Sequence, residues 1–235
     1  MKTCSIMQPT YLPWLGYFNL IAQSDVFVFL DNAQYSKNSF HNRNRYPSKN
    51  HTNGYNWITV PVLKDKLSKQ IRETAIQNDS KWKNKHLSTI SNVYGRTKYF
   101  KDFFPVIEDV LVSKDFQSLA ELNTSLIINI SKYLKLNAEF VFSSEMSAVG
   151  DRSNLILNIC NELSCKKYLS PAGAKSYIEE DGILLESDLE VKFQNFHCLE
   201  YNQKGMETFI PYMSIIDIIF NEGREKTLSI IFKEI

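Results

Sequence analysis

Residues 25–31 read DVFVFLD, with Val26, Phe27, Val28, Phe29 and Leu30 in unbroken succession. Successive side chains of a strand point to opposite faces. A strand with this run is therefore apolar on both sides and belongs inside a sheet covered above and below, the situation of a parallel sheet. The residues before it fit that reading. Residues 4–8 form a short apolar strand, 9–15 a loop with two prolines, and 16–23 a helix carrying Tyr17, Leu20 and Ile21 at helical spacing. Strand, helix and strand make a βαβ unit, which is parallel and right-handed.

The rest of the chain alternates in the same manner. Residues 57–63 are apolar and β-branched, as in a further strand. Ser80 is placed to cap a helix bearing Trp82, Leu87, Ile90, Val93 and Tyr94, and Pro105 suits the first turn of the next. Leu119, Leu122, Leu126, Ile127, Ile130 and Leu134 give an amphipathic stripe. Strands are predicted at 139–142, 168–169 and 190–196, and a helix after Asp151. Two helices close the chain on either side of Gly223. The expectation is an α/β fold, with a Rossmann-like parallel sheet in the first half and a more helical second half. We expect one domain over 1–235; a division into two lobes would fall at 1–115, nucleotide-binding in type, and 116–235, helical and closing over the first.

Composition narrows the function. A net charge of +1 lacks the excess of Lys and Arg on which nucleic-acid affinity rests. No apolar run approaches the ~18 residues of a membrane span, and the first nine residues turn polar too soon for a signal peptide. A cytoplasmic protein is expected, without nucleic-acid partners. The four cysteines, Cys4, Cys160, Cys165 and Cys198, form no C-x-x-C pair, and the four histidines show no metal-binding spacing. Reduced thiols and no structural metal follow. No G-x-S-x-G or G-x-G-x-x-G is present.

Four clusters could carry chemistry. The densest runs from Gln8 through Tyr11, Trp14 and Gly16 to Tyr17, in the loop at the carboxyl end of the first strand, where ligands of α/β sheets bind. The helix start after it suits phosphate, Gly16 permits close approach, and Tyr11, Trp14 and Tyr17 offer faces for stacking; the alternative is that these residues pack the turn. The second follows the second strand: Asp31, Gln34 and Lys37, then Asn42, Arg43, Asn44 and Arg45. If that stretch is extended, Arg43 and Arg45 share a face and could grip a diphosphate, while Asn42 and Asn44 face the other way. A solvated basic turn is the alternative. The third is Tyr168-Leu169-Ser170-Pro171 and the small residues after it, where Ser170 could line a site for an anion or acyl group or belong to an ordinary turn. The fourth holds Ser214 and Asp217, three apart ahead of an apolar run, which is also the pattern of a capping box. Tyr201 and Gln203 could line the cleft from its other side.

The stretches IMQPTYLPWLGYFNLI, SDVFVFLDNAQYSKNSFHNRNR, YLSPAGAKSY and FIPYMSIIDIIFNEG resemble the WbqC-like protein family over roughly residues 5–223. That resemblance implies a place in O-antigen and other surface polysaccharide synthesis, and an enzyme forming an amide between an acyl or aminoacyl group such as glycine and a nucleotide-linked amino sugar. The opening is also similar to pantothenate synthetases and related nucleotidyl transferases, which adenylate a carboxylate before an amine attacks it. Those enzymes carry H-x-G-H where this chain has Trp14-Leu15-Gly16-Tyr17, so the glycine is kept and both histidines are absent. The cofactor is left open, ATP or another activated acyl donor being compatible with this reading.

On this reading the first two clusters meet in one hollow. Asp31 takes the proton of the attacking amine as the catalytic base, and Gln8, Tyr11, Trp14, Gly16, Tyr17, Gln34, Lys37, Asn42, Arg43, Arg45, Ser170, Ser214 and Asp217 are the candidate substrate-binding residues. The rival expectations are a glycosyltransferase-like enzyme of the same pathway and a non-catalytic sugar-nucleotide-binding protein. Oligomerisation is compatible with either.

Overall fold

A computed structural model describes residues 1–63, 69–77, 79–113 and 115–233. Five strands form one sheet: β1 (Thr3–Met7), β2 (Val26–Phe29), β5 (Glu139–Phe142), β6 (Lys167–Ser170) and β7 (Glu190–Phe193). Their order is β5-β2-β1-β6-β7 and each neighbouring pair is parallel. Counted within this sheet the order is 3-2-1-4-5, that of a doubly wound α/β fold, and it reverses direction between β1 and β6. The chain is thus α/β with a parallel sheet, to which the second half of the sequence contributes three strands and the first half two.

Strand β2 shows why its apolar run is uninterrupted. Phe27 and Phe29 point into one cluster, formed with α1 (Leu15–Ala22), α3 (Phe100–Ser113), α4 (Leu119–Leu134) and α7 (Ile215–Ile231). Val26 and Val28 point into a second, formed with α5 (Arg152–Glu162) and α6 (Lys175–Asp181). All four side chains are fully buried, each stabilising the fold by about 1.5–3 kcal/mol.

The remaining strands, β3 (Arg43–Pro47) and β4 (Tyr55–Thr59), pair antiparallel with each other, apart from the main sheet. The strand expected at 57–63 is therefore displaced toward the N-terminus and belongs to a hairpin. Helix α2 (Ser80–Tyr94) is capped by Asp79, which accepts from the Lys81 backbone N–H at 3.0 Å. The side chain of Ser80, expected in that role, lies outside the described residues. Pro105 sits inside α3, not in its first turn, because the helix already begins at Phe100.

Gly223 divides α7 at φ 78, ψ 178, where a Cβ would lie 2.6 Å from the Tyr99 ring. Two helical pieces thus meet where both the backbone angle and the space demand glycine. Among the described residues, no helix is long and apolar enough to cross a membrane.

Candidate functional site

The loop leaving β1 is held in an unusual shape. Leu12 is fully buried yet has φ 44, a left-handed conformation that bulky residues rarely adopt. Its support comes from β3: Asn44 Nδ2 donates to the carbonyls of Tyr11 (3.0 Å) and Leu12 (2.7 Å), while Asn44 Oδ1 accepts from the Arg45 N–H at 2.7 Å. Ser214 Oγ donates a further bond to the Leu12 carbonyl at 2.8 Å, and the Ile215 N–H bonds the Pro13 carbonyl at 2.8 Å. Beside them Asn123 donates to the carbonyls of Pro9 (3.0 Å) and His41 (2.8 Å). The backbone is thereby fixed from β3, α4 and the start of α7 together. Tyr212, facing this loop, is also left-handed at φ 59. Paired strain of this kind persists only where surrounding contacts over-determine it, and it gathers at functional sites.

Between these elements lies a pocket of about 330 Å³ at the carboxyl end of β1. Met7, Thr10, Pro13, Trp14 and Tyr17 line it from the first loop and helix, Phe40, Asn44 and Arg45 from the hairpin side, and Tyr212 from the late segment. Trp14 meets Phe196 and Tyr212 edge-on, at 5.6 and 5.3 Å between centroids. Gly16 allows a close approach as expected, but to the Trp14 ring, 2.2 Å from where a Cβ would be.

The extended geometry of β3 puts Arg43 and Arg45 on one face. Arg43 lies 4.0 Å over Trp57; Arg45 lies 4.9 Å over Tyr55 and 5.7 Å from Phe40, with Nη2 donating to the Tyr212 carbonyl at 2.9 Å. The Nε atoms of both are buried without a hydrogen-bond partner, and among the described residues neither guanidinium forms an ion pair. Of the two, Arg45 lines the aromatic pocket and Arg43 does not; a guanidinium in such a place is suited to an anion with a ring attached.

Asp31 is not part of this arrangement. Its Oδ1 accepts from Ser143 Oγ (3.1 Å) and the Ser144 N–H (3.0 Å), and its Oδ2 from Ser144 Oγ (2.6 Å). The carboxylate ties the end of β2 to the turn after β5, one strand away from β1 on the side opposite the switch point. The expected convergence of Gln8, Asp31 and a guanidinium is therefore corrected: Gln8 turns to His41, and Asp31 is saturated by serine donors.

Several other candidates also hold backbone. Asn42 donates to the Val60 carbonyl at 3.0 Å and Ser170 Oγ to that of Pro171 at 3.2 Å. Gln34 bridges Gln70, and Lys37 is exposed. Ser214 is the N-cap residue of α7 but its side chain makes no capping bond, so the capping-box reading is replaced by its bond to Leu12. Asp217 is fully buried; Tyr201 Oη and Gln203 Nε2 donate to it at 2.6 and 2.8 Å. Burial pushes its carboxyl above the ordinary value against the pull of those donors. Tyr201 and Gln203, expected to face the cleft, thus serve this carboxylate.

Two histidines help to hold the loops: His86, which has no motif around it in the sequence, and His41, which immediately precedes Asn42 in the second cluster but is not among the candidate site residues. His86 Nε2 faces the Thr59 carbonyl at 3.0 Å and so donates to it, leaving Nδ1 to accept from the fully buried Tyr11 hydroxyl at 2.8 Å. Burial pushes His86 down to about 4. His41 Nδ1 accepts from the Ser36 N–H at 3.1 Å, which assigns the proton to Nε2 and directs it to Gln8 Oε1 at 2.8 Å. Burial lowers His41 as well. Both are neutral rings holding the loops that frame the pocket, and Tyr11 is a buried framework residue, not a stacking platform. Among the described residues no group of three or more His, Cys, Asp or Glu side chains is arranged to hold a metal ion.

Comparison with known proteins adds a family. The WbqC-like protein family matches residues 8–229. A protein of Mycobacterium tuberculosis (strain ATCC 25618 / H37Rv), named Uncharacterized protein Rv1507c, is 30% identical over 226 residues, covering 96% of this chain and 96% of its own. No solved structure matches.

Proposed function

The chain belongs to the WbqC-like protein family, and from that premise we propose that the pocket beside β1 takes a nucleotide-linked amino sugar on which the protein forms an amide, as an acyl or aminoacyl transferase of surface polysaccharide synthesis. The observation that carries this reading is Arg45, whose guanidinium lines a pocket walled by Trp14, Tyr17, Phe40 and Tyr212 with its Nε unpartnered, and Arg43 follows it on the same face of β3. A diphosphate would lie along the guanidiniums, and a base or sugar ring against the aromatic faces. The position agrees with the fold, since doubly wound sheets take ligands outside the carboxyl ends of strands at a switch point.

Amide formation needs the amine as free base. Among the described residues no carboxylate lines the pocket, and Asp31 is engaged elsewhere. Desolvation against aromatic walls and the adjacent positive charge of Arg45 both disfavour an ammonium and lower the pKa of a bound amine. The pocket would thereby deliver a neutral nucleophile without a dedicated base, and juxtaposition with the acyl donor would supply much of the acceleration.

The test is thermal denaturation with nucleoside diphosphates and their amino sugars, followed by mass spectrometry after adding glycine with ATP, or preformed activated acyl donors. A ligand at 100 times its dissociation constant stabilises by about 2.7 kcal/mol, and the amino sugar should gain one acyl unit. Absence of any shift, or a shift retained when Arg43 and Arg45 are both replaced by Met, overturns the binding site. That no carboxylate lines the pocket among the described residues favours a second reading, a non-catalytic carrier of the same ligand. Under it the thermal shift is present and no donor yields a product.

A further inference from the structure

Along the loop that leaves β1, the backbone acceptors are engaged one after another. The Met7 carbonyl accepts from the Leu30 N–H at 2.8 Å, that of Gln8 from the Tyr17 hydroxyl at 3.2 Å, and that of Pro9 from the Asn123 amide at 3.0 Å. The carbonyls of Tyr11 and Leu12 accept from Asn44, that of Pro13 from the Ile215 N–H, and that of Trp14 from the Tyr17 N–H at 3.0 Å. The facing walls are engaged as well. The Phe40 carbonyl accepts from the Tyr11 N–H at 2.9 Å, that of Arg45 from the Ser214 N–H at 3.2 Å, and that of Tyr212 from Arg45 Nη2 at 2.9 Å. Thr10 is the exception in this loop. It lines the pocket and is half-buried, yet among the described residues neither its carbonyl nor its hydroxyl has a hydrogen-bond partner.

The other side chains of the pocket offer a ligand donors or nothing. Met7, Pro13 and Phe40 carry no strong hydrogen-bonding atom, and the indole of Trp14 and the guanidinium of Arg45 only donate. Asn44 Oδ1 and the Tyr17 hydroxyl are engaged by backbone, and Tyr212 stands at the rim, 50% exposed. A hydrogen-bond donor brought into the pocket therefore finds its acceptors at Thr10. Two acceptors on one residue match a neutral primary amine, which has two N–H bonds and one lone pair. An ammonium has three N–H bonds, and the third would be left unpaired against apolar walls, which is costly.

We propose that Thr10 binds the amine of the ligand, its carbonyl and hydroxyl oxygens accepting the two N–H bonds. This rests on the reading of the pocket as an amino-sugar site and adds the point at which the amine is held. The two bonds fix the nitrogen on the side of the first loop and leave its lone pair free for the acyl donor. Thr10 thus selects an amine over a hydroxyl, which has a single hydrogen to give, and selects the neutral amine over its protonated form.

The test measures binding to the full-length protein by calorimetry, using nucleoside diphosphate sugars in pairs that differ by amine against hydroxyl at one carbon, such as UDP-glucosamine beside UDP-glucose. The parent should bind the amino member of a pair about fivefold tighter, the worth of one hydrogen bond. Thr10→Val keeps the branched shape and removes the hydroxyl, and should erase that preference; Thr10→Ser should keep it. Neither change should move the denaturation midpoint of the free protein, because the hydroxyl has no internal partner to lose. Equal binding of both members by the parent, or a preference that survives in Thr10→Val, overturns this proposal and leaves the pocket standing. Binding of neither member of any pair overturns the reading of the pocket, and this proposal with it.

Discussion

Asp217 and the Arg43–Arg45 pair sit on either side of the start of α7 and handle charge in opposite ways. Asp217 is fully buried and surrounded by donors, with Tyr201, Gln203 and, more distantly, Asn221 turned toward it. The arginines are half-buried, have no carboxylate partner among the described residues, and lie on aromatic faces. A saturated buried charge fixes structure, since removing it leaves its donors without partners. An unsaturated charge at the edge of a pocket contributes little to folding and has capacity left for a ligand. The difference separates framework from site, and it can be tested by substitution.

The largest effect is expected at Asp217. Asp217→Leu leaves the Tyr201 hydroxyl and the Gln203 amide unpaired in the interior and should lower stability by about 4 kcal/mol in denaturant titration. A loss under ~1 kcal/mol would break the comparison. Next comes the pH dependence from the buried histidines. Burial holds His86 at about 4, below its unfolded value near 6.5. The unfolded chain therefore binds the extra proton first as pH falls, so stability present above about 6.5 is lost on descending toward 4, by up to ~3 kcal/mol. Asp217, raised in the fold, acts with the opposite sign, its native form taking up a proton before its unfolded form. His86→Gln should flatten the decline, as read from denaturation midpoints at pH 7 and pH 5.

Asn44→Ala should cost about 2 kcal/mol, because two carbonyls of the left-handed turn lose their donor, and it should weaken ligand binding as the turn relaxes. Asp31→Asn is expected to cost about 1.5 kcal/mol through its lost serine contacts, with ligand affinity unchanged in calorimetry; a large affinity loss would return Asp31 to the site. Smallest in stability is Arg45→Met, within ~0.5 kcal/mol, yet it should weaken a nucleoside diphosphate ligand about tenfold, or ~1.4 kcal/mol. That inversion between folding and binding is the sharpest form of the contrast.

The framework was legible where a periodic pattern recorded it. The run from Val26 to Leu30 announces a strand covered on both faces, and Leu119 to Leu134 a helix with one buried side. The alternation of Arg43 and Arg45 places both on one face of β3. What the sequence does not carry is pairing over long range. Nothing near Asp31 signals that Ser143 and Ser144 will meet it after β5 docks beside β2. The same holds for Asn44, whose amide finds the carbonyls of Tyr11 and Leu12 only once the hairpin folds over the first loop. Polar residues near strand ends invite a ligand-binding reading, while many of them satisfy buried backbone, an obligation general to folded chains. Trp14, Tyr17 and Arg45 line the pocket and Arg43 does not; the first three were legible because the loop after a first parallel strand and the alternation along β3 are local patterns.

The bond from Ser214 Oγ to the Leu12 carbonyl joins positions 202 apart, with Ile215 closing on Pro13 beside it. A ribosome releases the amino-terminal end first, so the earliest-made wall of the pocket waits for nearly the whole polypeptide before its opposite wall exists. Prematurely terminated products would lack Tyr212 and the clasp that seats it. They could not form the pocket.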